Sequence, residues 1–444
     1  MRITVVGMGK IGLPLAVQYA RKGHSVVGAD INASTVEAIN DGEVPFPGEA
    51  HLGEYLHEVV SSGRLSAATD TTAAVRDSDA VVIVVPLFVD DAANPEFQAM
   101  DAATSAVGGG LQPGTLVAYE TTLPVGTTRR RLTPILEDRS GLRAGEDFFV
   151  VFSPERVLTG RVFADLRRYP KLVGGINQKS ETRGADFYEG VLDFDARNDL
   201  TRPNGVWRMG SAEAAELAKL AETTYRDVNI GLANQFALFA ERNGVDVRAV
   251  IEACNSQPFS HIHSPGIAVG GHCIPIYPRL YLWNDPDATI VTAARQANSE
   301  MPNQVIRRVE DYLGDLTGLR VAILGAAYRG GVKETAFSGV FPLASGLRER
   351  QALVSVHDPL YSDAELVDLG FDPYHKGESV DVVIVQADHE EYADWNSDAC
   401  PGVRLVFDGR GFMEESRWSN SATFLDFGAS AGRRKPKSLG KVSD

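Results

Sequence analysis

The chain has 444 residues, 44% of them hydrophobic and 23% charged, with a formal charge of −16. That length predicts two or three domains, and the composition is that of a soluble globular protein. The acidic balance argues against nucleic acid or an anionic membrane surface as main partner, no apolar run nears the roughly 20 residues of a membrane span, and three cysteines (Cys254, Cys273, Cys400) are too few for a disulfide framework, which points to the cytoplasm.

The opening RITVV reads as a strand, not as the apolar core of a signal peptide. A helix from about Lys10 to Lys22 and a second strand, SVVGAD, follow. Between the strands, GMGKIG fits G-x-G-x-x-G with Gly7, Gly9 and Gly12, and Asp30 closes the second strand. Such glycines permit a tight turn and bring backbone N–H groups close to a pyrophosphate at a helix N-terminus. A carboxylate at the second strand's end bonds a ribose 2′-OH and repels a 2′-phosphate, so the expected cofactor is NAD. The runs DAVVIVVP (79–86), GTLVAYE (114–120) and DFFVVFSPE (147–155) continue the alternation of short apolar strands with helices. That is the pattern of a parallel sheet covered on both faces. Glu155 follows such a strand, at the edge where α/β sites form; by itself it reads equally well as a surface carboxylate.

From Ser211 to Asn243 the pattern becomes helical, with Ser211 as a good N-cap and Gly244 as a natural stop. At 1.5 Å per residue the helix spans about 45 Å. Its apolar residues (Leu217, Leu220, Tyr225, Val228, Leu232, Phe236, Phe239) fill more than one stripe, which predicts burial within the chain or against a second subunit. Lys219 and Thr223 share a face, with Arg226 close by. A lysine amid AAELAKLA either meets an anion or snorkels to solvent. After a helical stretch near 290–313, strands resume in LRVAILGAAYRGG (319–331), LVSVHDP (353–359), DVVIVQADH (381–389) and VRLVFDGRG (403–411). The expected class is α/β: two Rossmann-like open parallel-sheet domains joined by a long central helix and a helical dimerisation region. The expected divisions are 1–200, 201–313 and 314–430, with a disordered basic tail over 431–444.

SPGIAVGGHCIPIYP (264–278) sets Cys273 behind Gly270, Gly271 and His272 and ahead of Pro275 and Pro278. Paired glycines let a ligand lie on the backbone, and a thiolate attacks carbonyl carbon well, so Cys273 reads as a nucleophile. Cys254 and Cys400 read as ordinary buried thiols. His261, His263, His272 and Cys273 are four potential zinc ligands, but adjacent His272 and Cys273 rarely turn to one ion, and no metal is expected.

These motifs occur in a definite order: GMGKIGLPLA, ETTLPVGTT (120–128), SPERVLTGR (153–161), KLVGG (171–175), ELAKLAETTYRDVNIGLANQ (216–235), GGHCIPIYP (270–278), VAILGAAYRGG (321–331) and FDGRG (407–411). From Met1 to about residue 428 the chain thereby resembles the UDP-glucose/GDP-mannose dehydrogenase family. The resemblance implies oxidation of a sugar C6 alcohol to a carboxylate with two NAD⁺, an N-terminal NAD domain, a C-terminal nucleotide-sugar domain and a dimer built on the central helices. It implies a thiohemiacetal and then a thioester on Cys273, an oxyanion held by Lys219, and Glu155 as base toward water. Gly7, Gly9, Lys10, Ile11, Gly12, Asp30, Pro86, Thr121 and Thr122 would hold NAD. Arg156, Val157, Lys219, Thr223, Arg226, His263, Gly270, Gly271, Tyr328, Arg329 and Arg410 would hold the UDP-sugar.

Some positions depart from the family pattern. Thr223 replaces an asparagine, Tyr277 an aspartate, Leu87 a threonine, Arg329 a lysine and Ala336 an arginine. The first three help hold or polarise water and oxyanion, so the hydrolytic half of the reaction needs other donors; a Thr121 or Thr122 hydroxyl and the His272 amide are the candidates. The form of GGHCIP and TTYRDVNI is similar to the members acting on UDP-N-acetylhexosamines, so UDP-N-acetylmannosamine or UDP-N-acetylglucosamine is expected first and UDP-glucose next, with a uronic acid for a surface polysaccharide or a glycosylated metabolite as the outcome. Two rival readings remain. One is a two-electron dehydrogenase of the hydroxyacid type, with no use for Cys273; the other is a nucleotide-sugar binder that has lost catalysis.

Overall fold

The computed structural model describes residues 1–427 apart from Asp91, Thr159, Ser419 and Asn420, so the expected tail lies outside the described residues. The chain forms two compact units, Met1–Glu222 with Arg279–Pro286, and Thr223–Pro278 with the chain from Asp287 onward. The helical segment 201–313 is thus shared between them.

The first unit contains β1 (Arg2–Val6), β2 (Ser25–Ala29), β3 (Leu65–Ala68) and β4 (Ala80–Ile83). Next come β5 (Phe88–Val89) and β6 (Pro95–Glu96), a separate antiparallel hairpin. The sheet continues with β7 (Leu116–Tyr119), β8 (Phe149–Phe152), β9 (Lys171–Gly175) and β10 (Val206–Arg208), in the order β10-β9-β8-β7-β4-β1-β2-β3. Alternate residues of the strands, among them Val5, Val82, Ala118 and Val151, pack with Leu13, Val17 and Ala20 of helix α1 (Gly12–Arg21) in a closed core. The sheet is not wholly parallel as expected: β8 pairs with β9 antiparallel, Val151 opposite Gly175. The intervening helix, Val162–Arg168, has seven residues. That helix lies within the connection 153–170, which returns the chain to the sheet in the opposite direction.

The second unit holds β11 (Arg320–Leu324), β12 (Leu353–His357), β13 (Asp372–Pro373), β14 (Val382–Val385), β15 (Leu405–Asp408) and β16 (Thr423–Asp426). All pair in parallel in the order β13-β12-β11-β14-β15-β16, so here the expectation of a parallel sheet holds.

The long helix runs Ala212–Arg242, one residue inside the expected bounds at each end. The Ser211 hydroxyl accepts from the Ala214 amide at 3.1 Å, and Gly244 turns left-handed at φ 65°. Ala233, Ala237 and Ala240 pack with Met301 and Val305 of the Thr289–Leu313 helix. The burial expected for the whole apolar set does not hold within the chain. Leu220 is buried, but Tyr225 is 56% and Phe239 61% exposed, and Leu217, Leu232 and Phe236 are open as well. One face of the helix alone is buried inside this chain, so of the two expected forms of burial the one within the chain covers only part of the apolar set.

Candidate active site

In the first unit the expected cofactor residues gather at the C-terminal ends of the parallel strands, where open α/β sheets bind ligands. Gly7–Gly12 follows β1, Asp30 follows β2, Pro86 follows β4, Thr121 and Thr122 follow β7, and Glu155 follows β8. The glycine loop divides its labour. A Cβ on Gly12 would meet the Gly7 carbonyl oxygen at 1.8 Å, and Gly7 itself sits at φ 91°, so these two shape the turn. A Cβ on Gly9 would meet no atom within 4 Å: that glycine leaves open room above the start of α1, where a pyrophosphate fits. Asp30 accepts from the Met8 amide (2.7 Å) and the Asn32 amide (2.9 Å) and stays half-buried. Lys10 is exposed and Ile11 half-buried beside them. The residues present therefore fit NAD.

The Thr121 hydroxyl donates to the Val85 carbonyl at 2.7 Å, which removes it as a free donor, and Thr122 is 4% exposed. Leu87 is buried. The end of the same motif is fixed by the long helix: the Glu216 carboxylate accepts from Gly126 (2.5 Å) and Thr128 (2.9 Å) amides. Burial pushes its carboxyl up to about 7.

Glu155 is anchored on both oxygens, by the Arg156 amide (2.7 Å) and by Lys171 Nζ (2.9 Å). Lys171 also donates to Glu120 at 2.6 Å. Burial pushes Glu155 up, but the Lys171 ammonium outweighs it and holds the carboxyl below the ordinary range. Glu222 draws Arg156 (2.7 Å) and Lys219 (4.0 Å) to one place on the helix, and Lys219 is 7% exposed. Val157 packs partly against the core.

In the second unit, side chains of the long helix hold the segment leading to Cys273. Asn229 binds the His261 carbonyl and the His263 amide, and Asn234 accepts from the Gly266 amide at 2.9 Å. Asn234 is set in turn by Asn298, and Asn298 by Asp227, which Arg295 pairs at 2.6 Å. Burial, with the Arg226 charge second, holds His263 below its usual range; Arg226 is exposed and Thr223 buried.

The glycine pair lies on an aromatic ring. A Cβ on Gly270 would meet the Tyr328 Cβ at 2.5 Å, and Gly271, at φ 87°, donates its amide to the Ala336 carbonyl at 2.8 Å. His272 stands 3.2 Å from Glu334. The loop then presents Cys273 exposed, and its carbonyl accepts from the Ile276 and Tyr277 amides, so that Tyr277 opens the helix Tyr277–Asn284. Arg410 lies near Gly266 and binds Asp388 at 3.1 Å, while Arg329 donates to the Tyr328 hydroxyl. Cys254 is half-buried, not sealed as expected, whereas Cys400 is buried and its thiol pushed up to about 11 by burial. Among the described residues no group of three or more His, Cys, Asp or Glu is arranged to hold a metal.

The sequence reading passed over Glu120, Lys171, Tyr188, Asn234 and Glu334. For the first two a signal existed: a charged residue at the end of VAYE and another opening KLVGG, both on strands apolar enough to be buried, require a counter-charge.

Three family models match in succession: UDP-glucose/GDP-mannose dehydrogenase family, NAD binding domain, over residues 1–192, its central domain over 213–300 and its UDP binding domain over 322–415. A UDP-N-acetyl-D-mannosamine dehydrogenase of Pyrococcus horikoshii is 34% identical over 426 residues, 94% of this chain and 96% of that protein. The solved structure of UDP-D-ManNAc dehydrogenase from Pyrococcus horikoshii matches with a TM-score of 0.85 at 32% identity, covering 96% of this chain and 99% of that one. A UDP-glucose dehydrogenase structure from Pyrobaculum islandicum gives 0.84 at 27% identity, covering 97% and 98%. Matched along its length in all three parts, the chain belongs to the UDP-glucose/GDP-mannose dehydrogenase family.

Proposed function

We propose that the chain oxidises C6 of a UDP-N-acetylhexosamine, UDP-N-acetyl-D-mannosamine before UDP-N-acetyl-D-glucosamine, to the uronate with two NAD⁺ per sugar. The observation that carries this reading is an exposed thiol, Cys273, on a glycine loop laid on Tyr328 of the UDP binding domain. The resemblance to the Pyrococcus horikoshii enzyme along the chain supports the choice of sugar.

The Gly7–Gly12 turn and Asp30 would hold the cofactor, which when bound accepts hydride from C6. The Cys273 sulfur adds to the aldehyde carbon as the thiol proton passes to the carbonyl oxygen, and the thiohemiacetal would become a thioester by losing that proton and a second hydride, for which the second NAD⁺ is the acceptor. Lys219 offsets the oxyanion charge, a role in which loss of one donor costs about 100- to 1000-fold. Glu155 takes a proton from the water that attacks the thioester, and the acid leaves as sulfur regains its proton. With Leu87, Thr223 and Tyr277 at positions where the family resemblance implies water-holding groups, thioester hydrolysis needs other donors, for which the Thr122 hydroxyl and the His272 amide are the candidates.

The open apolar stripe of the long helix (Tyr225, Leu232, Phe236, Phe239) supports a homodimer through the central helices, with 201–313 as the dimerisation segment between the NAD and sugar domains. Three free cysteines support work in the reducing cytoplasm. A UDP-glucose reading is favoured second by the Pyrobaculum islandicum likeness.

The test is a panel of UDP- and GDP-sugars with NAD⁺, read by NADH yield and product mass, beside Cys273→Ser. Two NADH per sugar, a uronate mass and a loss of acid formation by about 1000-fold or more in the variant are expected. One NADH per sugar, or full uronate production by Cys273→Ser, overturns the covalent route.

A further inference from the structure

Behind Glu155 lies a second carboxylate that the steps above do not use. Lys171 Nζ stands 2.6 Å from Glu120 and 2.9 Å from Glu155, so one ammonium serves two carboxylates. Lys171 is 4% and Glu120 1% exposed, whereas the Glu155 side chain keeps 11% of its surface open. Burying one Lys with one Glu would balance the charge; a third charge adds a desolvation cost that scaffolding alone does not require.

The other groups facing the cluster are few. The second oxygen of Glu120 accepts from the hydroxyl of Tyr188 (2.7 Å), on the helix Gln178–Val191, and from that of Tyr19 (3.3 Å), on α1. The Arg156 guanidinium turns to Glu222 instead. Glu120 is thus the sealed member of the pair and Glu155 the open one.

We propose that Glu120 is a positioning residue for Glu155: by taking a share of the Lys171 ammonium it keeps Glu155 anchored without quenching its charge. The inference rests on the reading of Glu155 as the base toward water. If Lys171 belonged to Glu155 alone, the tighter ion pair would weaken that base. Burial pushes Glu120 up, Lys171 opposing it, whereas Lys171 holds Glu155 down, so Glu120 is the more easily protonated side of the pair. The two carboxyl groups also hydrogen-bond each other, so protonation of Glu120 shifts Lys171 toward Glu155 and the pair titrates as a unit.

The acid-forming step is therefore expected to speed up as pH rises through neutrality. Glu120→Gln imitates the protonated state at every pH, so it should lose that rise and run on the order of 10-fold slower above neutrality. Carbon-13 NMR of labelled glutamate side chains reads Glu155 directly. Its titration should move down in Glu120→Gln and up in Lys171→Met, where two carboxylates face each other unshielded. Glu155→Gln separates the two readings. If it forms acid at the wild-type rate, the base assignment falls and this inference with it. If it is inactive while Glu120→Gln keeps the wild-type pH profile and Glu155 titration, Glu120 is only scaffold and the inference alone falls. Where Glu120→Gln fails to fold, Tyr188→Phe removes one donor to Glu120 and keeps every charge. It should move the rise to higher pH, and an unmoved rise overturns the proposal.

Discussion

The two glycine loops begin from one backbone plan and end as different devices. In each, a glycine with positive φ leaves the first strand, Gly7 after β1 (91°) and Gly325 after β11 (107°). In each, an aspartate beyond the second strand accepts from an amide in the loop: Asp30 from Met8 at 2.7 Å, Asp358 from Ala327 at 2.9 Å. The third position then differs. Gly9 leaves open room, while Ala327 occupies the corresponding place and is fully buried. Asp30 is half-buried, but Asp358 is 2% exposed and also bonded to His389 at 3.1 Å. One loop keeps its amides and carboxylate available to a ligand. The other has turned them inward as a bracket, with Ala327 and Asp358 both buried. One Cβ and one buried partner are enough to divide the two.

The sharpest way to break this contrast is to fill the open room. Gly9→Val should weaken NAD binding by about 100-fold in titration calorimetry, because backbone amides no longer reach the pyrophosphate. Its melting temperature without cofactor should hold, since a Cβ there meets no atom within 4 Å. Ala327→Gly should leave NAD affinity unchanged; equal effects at both positions would end the contrast. Next in size, Asp358→Asn should cost about 3 kcal/mol in denaturant unfolding by leaving buried donors short of their acceptor. Burial pushes the Asp358 carboxyl up, but His389 and the Ala327 and Leu360 amides outweigh it and hold it below its usual value. Its contribution is therefore present above the ordinary aspartate value of about 3.9 and lost as pH falls through the lower folded value. The variant should lack that acid slope. Smallest, Asp30→Ala should shift the preference for NAD over NADP by about 10-fold in kcat/KM, with little change in unfolding.

Much of this was legible in the chain, and the reason differs by feature. The strand runs, the glycine loops and the ends of the long helix are local: Ser211 and Gly244 act on their own backbone, so their signal survives without the fold. The strand reversal at β9 depends on the path of the whole connection 153–170, which composition does not express. The apolar count of the long helix did not say which face meets its own chain. Glu120 and Lys171 stand 51 residues apart and meet only because sheet order brings β7, β8 and β9 together. Their charge in buried strands was the available clue, but the partner was not.

The three sulfurs have unequal access to the medium, with Cys273 exposed, Cys254 half-buried and Cys400 buried. Oxidant stress would therefore concentrate on the first of them, since the ladder from sulfenic to sulfonic acid begins where a peroxide can reach. In the route proposed above, such damage would silence acid output while the dinucleotide half and the fold stayed whole. A preparation could then look intact by every measure of stability and still be dead.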